Sequence, residues 1–179
     1  MKRLFLLLVL LLSVVLLAAC GGNSAASDST GSFLSVTQEV FPEAPPMMTV
    51  VCGEQSVTAW RGTYSWHVQL DGDLGRGKHA DSMHPLAVSD IPVVAVGETA
   101  AVTLSFDIPQ DAAVPMQSII VRRYRIDADD YEDYETVAAD GAVLTLTAEE
   151  ALYEVIASWN VSGGAYSGEA HYAFRTTGK

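Results

Sequence analysis

The chain is poor in cysteine and in basic charge. Only two of its 179 residues, Cys20 and Cys52, are cysteines, so a disulfide framework cannot stand in for a hydrophobic core. Lysine and arginine number 10 against 22 aspartates and glutamates, a formal net charge of −12. Such a balance argues against nucleic acid or bare anionic lipid as a partner, because both would repel it. Past residue 19 no stretch is long and apolar enough to cross a bilayer as a helix. The sequence also contains no GxSxG, no HExxH, no phosphate-binding loop and no dinucleotide fingerprint. These absences point away from catalysis, although a triad can assemble across a fold from scattered Ser, His and Asp. No internal repeat is present.

What is present begins at the N-terminus. After Met1, Lys2 and Arg3 come sixteen uncharged residues, Leu4 to Ala19, with Ser13 as the only hydroxyl. That run is short for a membrane-spanning helix, which needs about 20 apolar residues, and it suits the apolar region of a secretory signal. It ends Leu17-Ala18-Ala19-Cys20-Gly21, which resembles the lipobox of bacterial lipoproteins. The resemblance implies cleavage before Cys20 and diacylglycerol on its sulfur. Gly21, where Asp is absent, is similar to an outer-membrane sorting signal if the envelope has two membranes. Two acyl chains anchor far better than one, since each buried methylene adds about 0.8 kcal/mol. The mature protein is thus expected on the extracytoplasmic face of the cell membrane, anchored without spanning it. Loss of Lys2 and Arg3 leaves 8 basic against 22 acidic residues, or −14. With Cys20 acylated, Cys52 stands alone and no internal disulfide forms.

Three regions follow: a signal peptide over residues 1–19, a lipid-attachment and tether segment over 20–43, and a domain over 44–179. The stretch GGNSAASDSTGS from Gly21 to Ser32 has no large apolar residue and reads as a flexible tether spanning about 20 Å. Phe33 to Phe41 reads as a short strand or as more linker. Pro42, Pro45 and Pro46 mark where the domain starts. From there period-two patterns dominate. Met48, Val50 and Cys52 share a parity. So do Trp60, Tyr64, Trp66, Val68 and Leu70, in a run expected to bend at Gly62. Val102, Leu104, Phe106 and Ile108 follow, then SIIVRRYRI, AVLTLT, LYEVIASWNV and GEAHYAFRT. In SIIVRRYRI the apolar parity switches from Ile119 and Val121 to Tyr124 and Ile126, which predicts a bulge or a twist near Arg122. Several short alternating runs separated by Gly, Pro and Asp are the pattern of an all-β sandwich. The one helical expectation is a single turn near Ala148 to Leu152.

The segment LTLTAEEALYEVIASW places Glu149, Ala151 and Tyr153 between two strands. It resembles the corner between the fifth and sixth strands of immunoglobulin-like domains, where a tyrosine hydroxyl bonds back to the main chain. The resemblance runs from about Thr99 to Thr176 and implies an immunoglobulin-like antiparallel β-sandwich. Val155 takes the place of the second antibody cysteine, so the disulfide is missing. Pro45 to Pro92 would then be an added N-terminal hairpin and a long loop. GTYSW and ADSMHP are also similar to segments of small lipoproteins of Gram-positive anaerobes, a likeness that implies no activity.

Several residues are candidates for a site. The aromatic run AWRGTYSWHVQL could offer a stacking platform for sugars or peptides, but its other face carries Arg61, Thr63, Ser65, His67 and Gln69. The aromatic face is the one least costly to bury, so Trp60, Tyr64 and Trp66 are expected inside. His79, Asp81 and His84 lie within six residues and are plausible zinc ligands, though H-x-D-x-x-H matches no strong metal motif. Asp71-Gly72-Asp73 with Gly75 resembles a calcium loop that lacks its later ligands. Cys52 shares the parity of Val50 and Met48, which predicts a buried, inert thiol. In RRYRIDADDYEDYE six carboxylates fall within nine residues. Tyr131 and Tyr134, with Asp130 and Asp133, are the binding-surface candidates there. The functional expectation is a non-catalytic, lipid-anchored binding or interaction module without cofactor. Its partner would be an extracellular protein, peptide or cell-wall polymer, and not nucleic acid. A metal-binding (zinc or calcium) surface lipoprotein and a hydrolase with an unrecognised constellation are the alternatives.

Overall fold

The computed structural model describes residues 44–69, 75–108, 116–160 and 166–178. The leader, Cys20, the tether and Phe33 to Phe41 lie outside the described residues, as do Asp71, Gly72 and Asp73. Twelve strands are present among the described residues: β1 (Met48–Cys52), β2 (Gln55–Thr58), β3 (Trp60–Gln69), β4 (Gly75–Ala80), β5 (Val93–Val96), β6 (Thr99–Phe106), β7 (Met116–Arg125), β8 (Glu135–Val137), β9 (Ala139–Asp140), β10 (Val143–Thr147), β11 (Ala151–Asn160) and β12 (Tyr166–Gly178). They form two sheets packed as a sandwich. The smaller has the order β2-β1-β6-β10-β9 and the larger β4-β3-β12-β11-β7-β8. β5 pairs in parallel with the end of β12, Val93 opposite Arg175 through Val96 opposite Gly178; the other pairings are antiparallel. The Pro45–Pro92 piece supplies two hairpins, one to each sheet: β1 pairs with β6 and β3 with β12. It is woven into both layers of the sandwich.

The period-two patterns fill the space between the sheets. Met48, Val50, Val102, Leu104, Leu144 and Leu146 come from the small sheet. Trp66, Val94, Val96, Val121, Tyr153, Val155, Trp159, Tyr172 and Phe174 come from the large one. Tyr153 stacks on Phe174 with ring centres 5.1 Å apart, and Trp159 takes Trp66 and Phe106 edge-on at 5.6 and 5.5 Å. Among the described residues the Trp159 Nε1 is the one buried side-chain nitrogen or oxygen without a hydrogen-bond partner. That costs about 1–3 kcal/mol, which the ring contacts must outweigh. Cys52 is buried and free, its Sγ 3.8 Å from the Ala95 carbonyl oxygen. The start of the domain is tied down by two side chains: the Tyr172 hydroxyl donates to the Pro46 carbonyl at 2.6 Å and Arg61 Nη1 to the Pro45 carbonyl at 2.8 Å.

Three local expectations are corrected. First, Trp60 does not share the interior with Tyr64 and Trp66. Against β12, Tyr64 pairs with Ala170 but Arg61 with Tyr172, so β3 holds an extra residue at Gly62–Thr63. The bulge reverses side-chain parity. Tyr64 and Trp66 enter the sandwich core, whereas Trp60 lies half-buried against a second apolar cluster of Ile91, Tyr124, Leu152 and Ala173. Second, no bulge occurs near Arg122, where β7 keeps continuous register with β11 from Arg125 to Ser118; the irregularity falls between Ser158 and Trp159. The parity of β7 changes because Val121 serves the sandwich core and Tyr124 the second cluster. Third, Ala148 to Leu152 is not helical. The helical turn among the described residues is a 3-10 turn at Pro85–Ala87. At the corner before β11, Thr176 donates its hydroxyl to the Glu149 carbonyl at 2.6 Å.

Two glycines mark where backbone and side chain crowd. A Cβ on Gly62 would lie 2.7 Å from the Trp60 ring, and one on Gly168 (φ 153°) would collide with the Ser65 carbonyl oxygen. Gly168→Ala is expected to cost at least about 2 kcal/mol, because both the backbone angle and the facing main chain oppose it. Gly62→Ala should cost less, since the Trp60 ring is only half-buried. Urea denaturation of both variants checks the order; equal stability of Gly168→Ala and the parent protein would contradict the packing described.

Candidate functional site

The large sheet buries part of its outer face as well as its inner one. Residues 151–157 of β11 are all buried. On the outer side Leu152 and Ile156 flank Glu154, whose side chain is only 4% exposed. An isolated buried carboxylate would be strongly disfavoured, and the strand register supplies its partners. Arg122 on β7 stands directly opposite and reaches Glu154 Oε2 at 3.3 Å. Tyr124, two residues along the same strand and face, donates its hydroxyl to Oε2 at 3.1 Å. From β12, His171 Nδ1 meets Oε1 at 2.9 Å, and its Nε2 lies 3.4 Å from Glu169 Oε1. Glu169 in turn accepts a hydrogen bond from Ser158 at 3.1 Å.

These contacts set the protonation states. Burial alone would raise the Glu154 carboxyl, but the hydrogen bond and charge of His171, the Tyr124 hydroxyl and the charge of His84 hold it below its ordinary range. The hydrogen bond to Glu154 raises His171 against the opposing effect of burial. Burial raises the Tyr124 hydroxyl, and the neighbouring Glu154 charge adds to that.

His84 links this hub to the surface. Its ring meets Tyr124 edge-on at 5.3 Å and stacks on Tyr131 at 4.3 Å, with 25° between the planes. Nε2 lies 3.4 Å from the Tyr124 hydroxyl oxygen, and Nδ1 accepts from the Leu86 N–H at 3.3 Å, capping the 3-10 turn. Tyr124 spends its proton on Glu154, so it offers His84 a lone pair. The neutral tautomer with hydrogen on Nε2 satisfies both contacts. Burial lowers the His84 value; Glu154 opposes this, and Arg122 and His171 add to it. Tyr131 is 52% exposed. Tyr134 lies 4.6 Å beneath the Arg122 guanidinium, a cation–π contact.

The acidic-tyrosine loop and the His79–His84 segment, far apart in sequence, thus share one surface, but the sharing runs through His84 alone. His79 Nε2 pairs with Asp81 Oδ1 at 2.9 Å, both exposed, while His84 turns to the tyrosines. The described residues contain no group of three or more His, Cys, Asp or Glu placed to hold a metal ion, so His79, Asp81 and His84 do not form a metal centre here. In the acidic loop the Asp130 carboxylate accepts from the Glu132 N–H at 2.9 Å and its carbonyl from the Asp133 N–H at 3.2 Å, which folds the loop into a closed turn. Asp127 pairs with Arg125, and Glu135 with Arg123. Sequence reasoning missed Tyr124, Glu154 and His171. The available signal was LYEVIA, where Glu154 sits between Leu152 and Ile156 while Tyr153 and Val155 claim the other parity. A strand apolar on both faces buries any charge within it.

The two histidines give opposite pH dependences. His171 binds its proton more tightly folded than unfolded, so its stabilisation is full below about pH 6.5 and is lost as pH rises through its raised value. His84 binds its proton more weakly folded, so stability is lost as pH falls from about 6.5 through its lowered value. Stability due to the cluster should therefore peak near pH 6.5. His84→Gln is expected to flatten the acid side and His171→Gln the alkaline side, measured as urea midpoints between about pH 5 and 8.5. Identical pH profiles for both variants and the parent would refute the assignment. Comparison of the chain with protein-family models, curated proteins and solved structures returns no match.

Proposed function

We propose that the chain is a non-catalytic, lipid-anchored extracytoplasmic binding module whose contact surface is the acidic-tyrosine loop together with His84. The observation that carries this reading is Tyr131. A half-exposed aromatic ring is held against His84 in a loop whose Asp129, Asp130, Glu132 and Asp133 are exposed. Aromatic rings fixed by a neighbour give contact area at little entropic cost. The polar hub beneath supports binding over catalysis. Both His171 nitrogens face carboxylates, so the ring has no lone pair free for a substrate proton, and the nearby Ser158 hydroxyl donates to Glu169, not to a histidine. An immunoglobulin-like relationship is part of the same proposal, supported by the all-β sandwich. The anchor rests on Leu17-Ala18-Ala19-Cys20; no described helix is long and apolar enough to cross a membrane.

Two measurements test the proposal. Cys20→Ser should abolish fatty-acid labelling and release the protein from the membrane fraction. A photo-reactive residue in place of Tyr131 should crosslink a partner on intact cells, whereas one in place of Thr145, exposed on the small sheet, should not. Silence at both positions, or equal labelling at both, would overturn the binding surface.

A further inference from the structure

Beside the Tyr131 surface, and resting on the reading of it as a binding site, lies a groove on the outer face of the large sheet. It is lined by Leu86, Val88, Ile91, Ile126 and Leu152 and ends at Arg175. Its volume of about 80 Å³ exceeds what one or two waters need and gives room for an aliphatic side chain. The register fixes its direction. Leu152 on β11 pairs with Arg175 on β12 on one side and with Tyr124 on β7 on the other. Ile126 follows the end of β7, so the groove runs across the sheet from the cation Arg175 to Ile126. Arg175 is already paired with Glu150 at 3.0 Å. At the other end the wall is incomplete: Ile126 is 39% exposed, and the next residue, Asp127, opens the acidic loop.

We infer that this groove and loop together bind a cationic peptide segment in which an aliphatic side chain sits next to lysine or arginine. The aliphatic group fills the groove and completes the cover over Ile126, while the neighbouring cations meet the loop carboxylates. Asp129, Asp130, Glu132 and Asp133 make no ion pair among the described residues, whereas Asp127 and Glu135 are already matched by Arg125 and Arg123. Four carboxylates without ion pairs, in the loop that follows Ile126 at one side of the apolar slot, select for ligand charge and for its position relative to the apolar group. The same charges disfavour a second copy of this chain as the occupant, since that would bring two acidic loops on a chain of net charge −12 against one another.

Calorimetric titration of the protein with three synthetic peptides tests this: alternating lysine and leucine, lysine with serine, and glutamate with leucine. The lysine–leucine peptide should bind, and the other two at least about tenfold more weakly. Ile126→Ser should weaken lysine–leucine binding about tenfold at every salt concentration. The Asp129→Asn/Asp133→Asn pair should weaken it too and flatten its salt dependence. Equal binding of the lysine–leucine and lysine–serine peptides would remove the groove from the site, and equal binding of the glutamate–leucine peptide would remove the charge; either overturns the inference. A dimer in sedimentation that Ile126→Ser dissociates would assign the groove to a second copy and overturn it as well. If no peptide binds yet the Tyr131 crosslink forms, the inference fails and the binding surface stands; if the crosslink fails too, both fall.

Discussion

A carboxylate buried on the central strand of the larger sheet is the constraint around which the outer face is arranged. Glu154 cannot be kept ionised under cover without compensation. Its neighbours are accordingly a guanidinium, an imidazole and a phenol, each delivered by strand register from β7 or β12. The cover itself is the segment holding Pro85, Leu86, Val88 and Ile91, which joins Tyr124, Leu152, Ala173 and Trp60 in a second apolar cluster. His84 belongs to both systems: its ring bridges Tyr124 and Tyr131, and its Nδ1 caps the turn that starts the cover. Removing the charge balance at Glu154 would therefore disturb the loop above it as well as the strand beneath.

Much of the fold was legible in the sequence, and the failures have physical causes that can be named. Alternation along Met48–Cys52, Val102–Leu104 and Tyr153–Trp159 identified the inward faces because one side of each strand meets the other sheet. It failed at Trp60, where an extra residue in β3 reverses the face, and around Arg122, where the large sheet carries apolar residues on both faces. Parity then no longer separates inside from outside. At Gly62 the sequence suggested a bend but not the change of face that the extra residue causes, and around Arg122 it suggested a bulge or a twist where the register is continuous. The corner before β11 was located by its tyrosine. The hydroxyl described as bonding the main chain there is that of Thr176, from a strand distant in sequence.

The candidate site was half legible. Tyr131, Tyr134 and the aspartates were visible because tyrosines are unusual in so acidic a loop. His84 was visible as a histidine but assigned to the wrong company. The spacing of His79, Asp81 and His84 suggested that they converge, yet His84 sits at the cap of a turn that aims its ring at Tyr124, away from the exposed His79–Asp81 pair. The groove could not be read at all, since its lining comes from residues separated by about ninety positions between Pro85 and Arg175.

The hydrogen bonds that hold Pro45 and Pro46 have a mechanical meaning. Arg61 and Tyr172 belong to the large sheet, while Met48, two residues beyond Pro46, opens β1 of the small one. Tension applied at residue 44 would reach both layers at once. The two side chains act as a strain relief, like the clamp on a cable, so that a tug on the leading segment does not peel β1 away from β6.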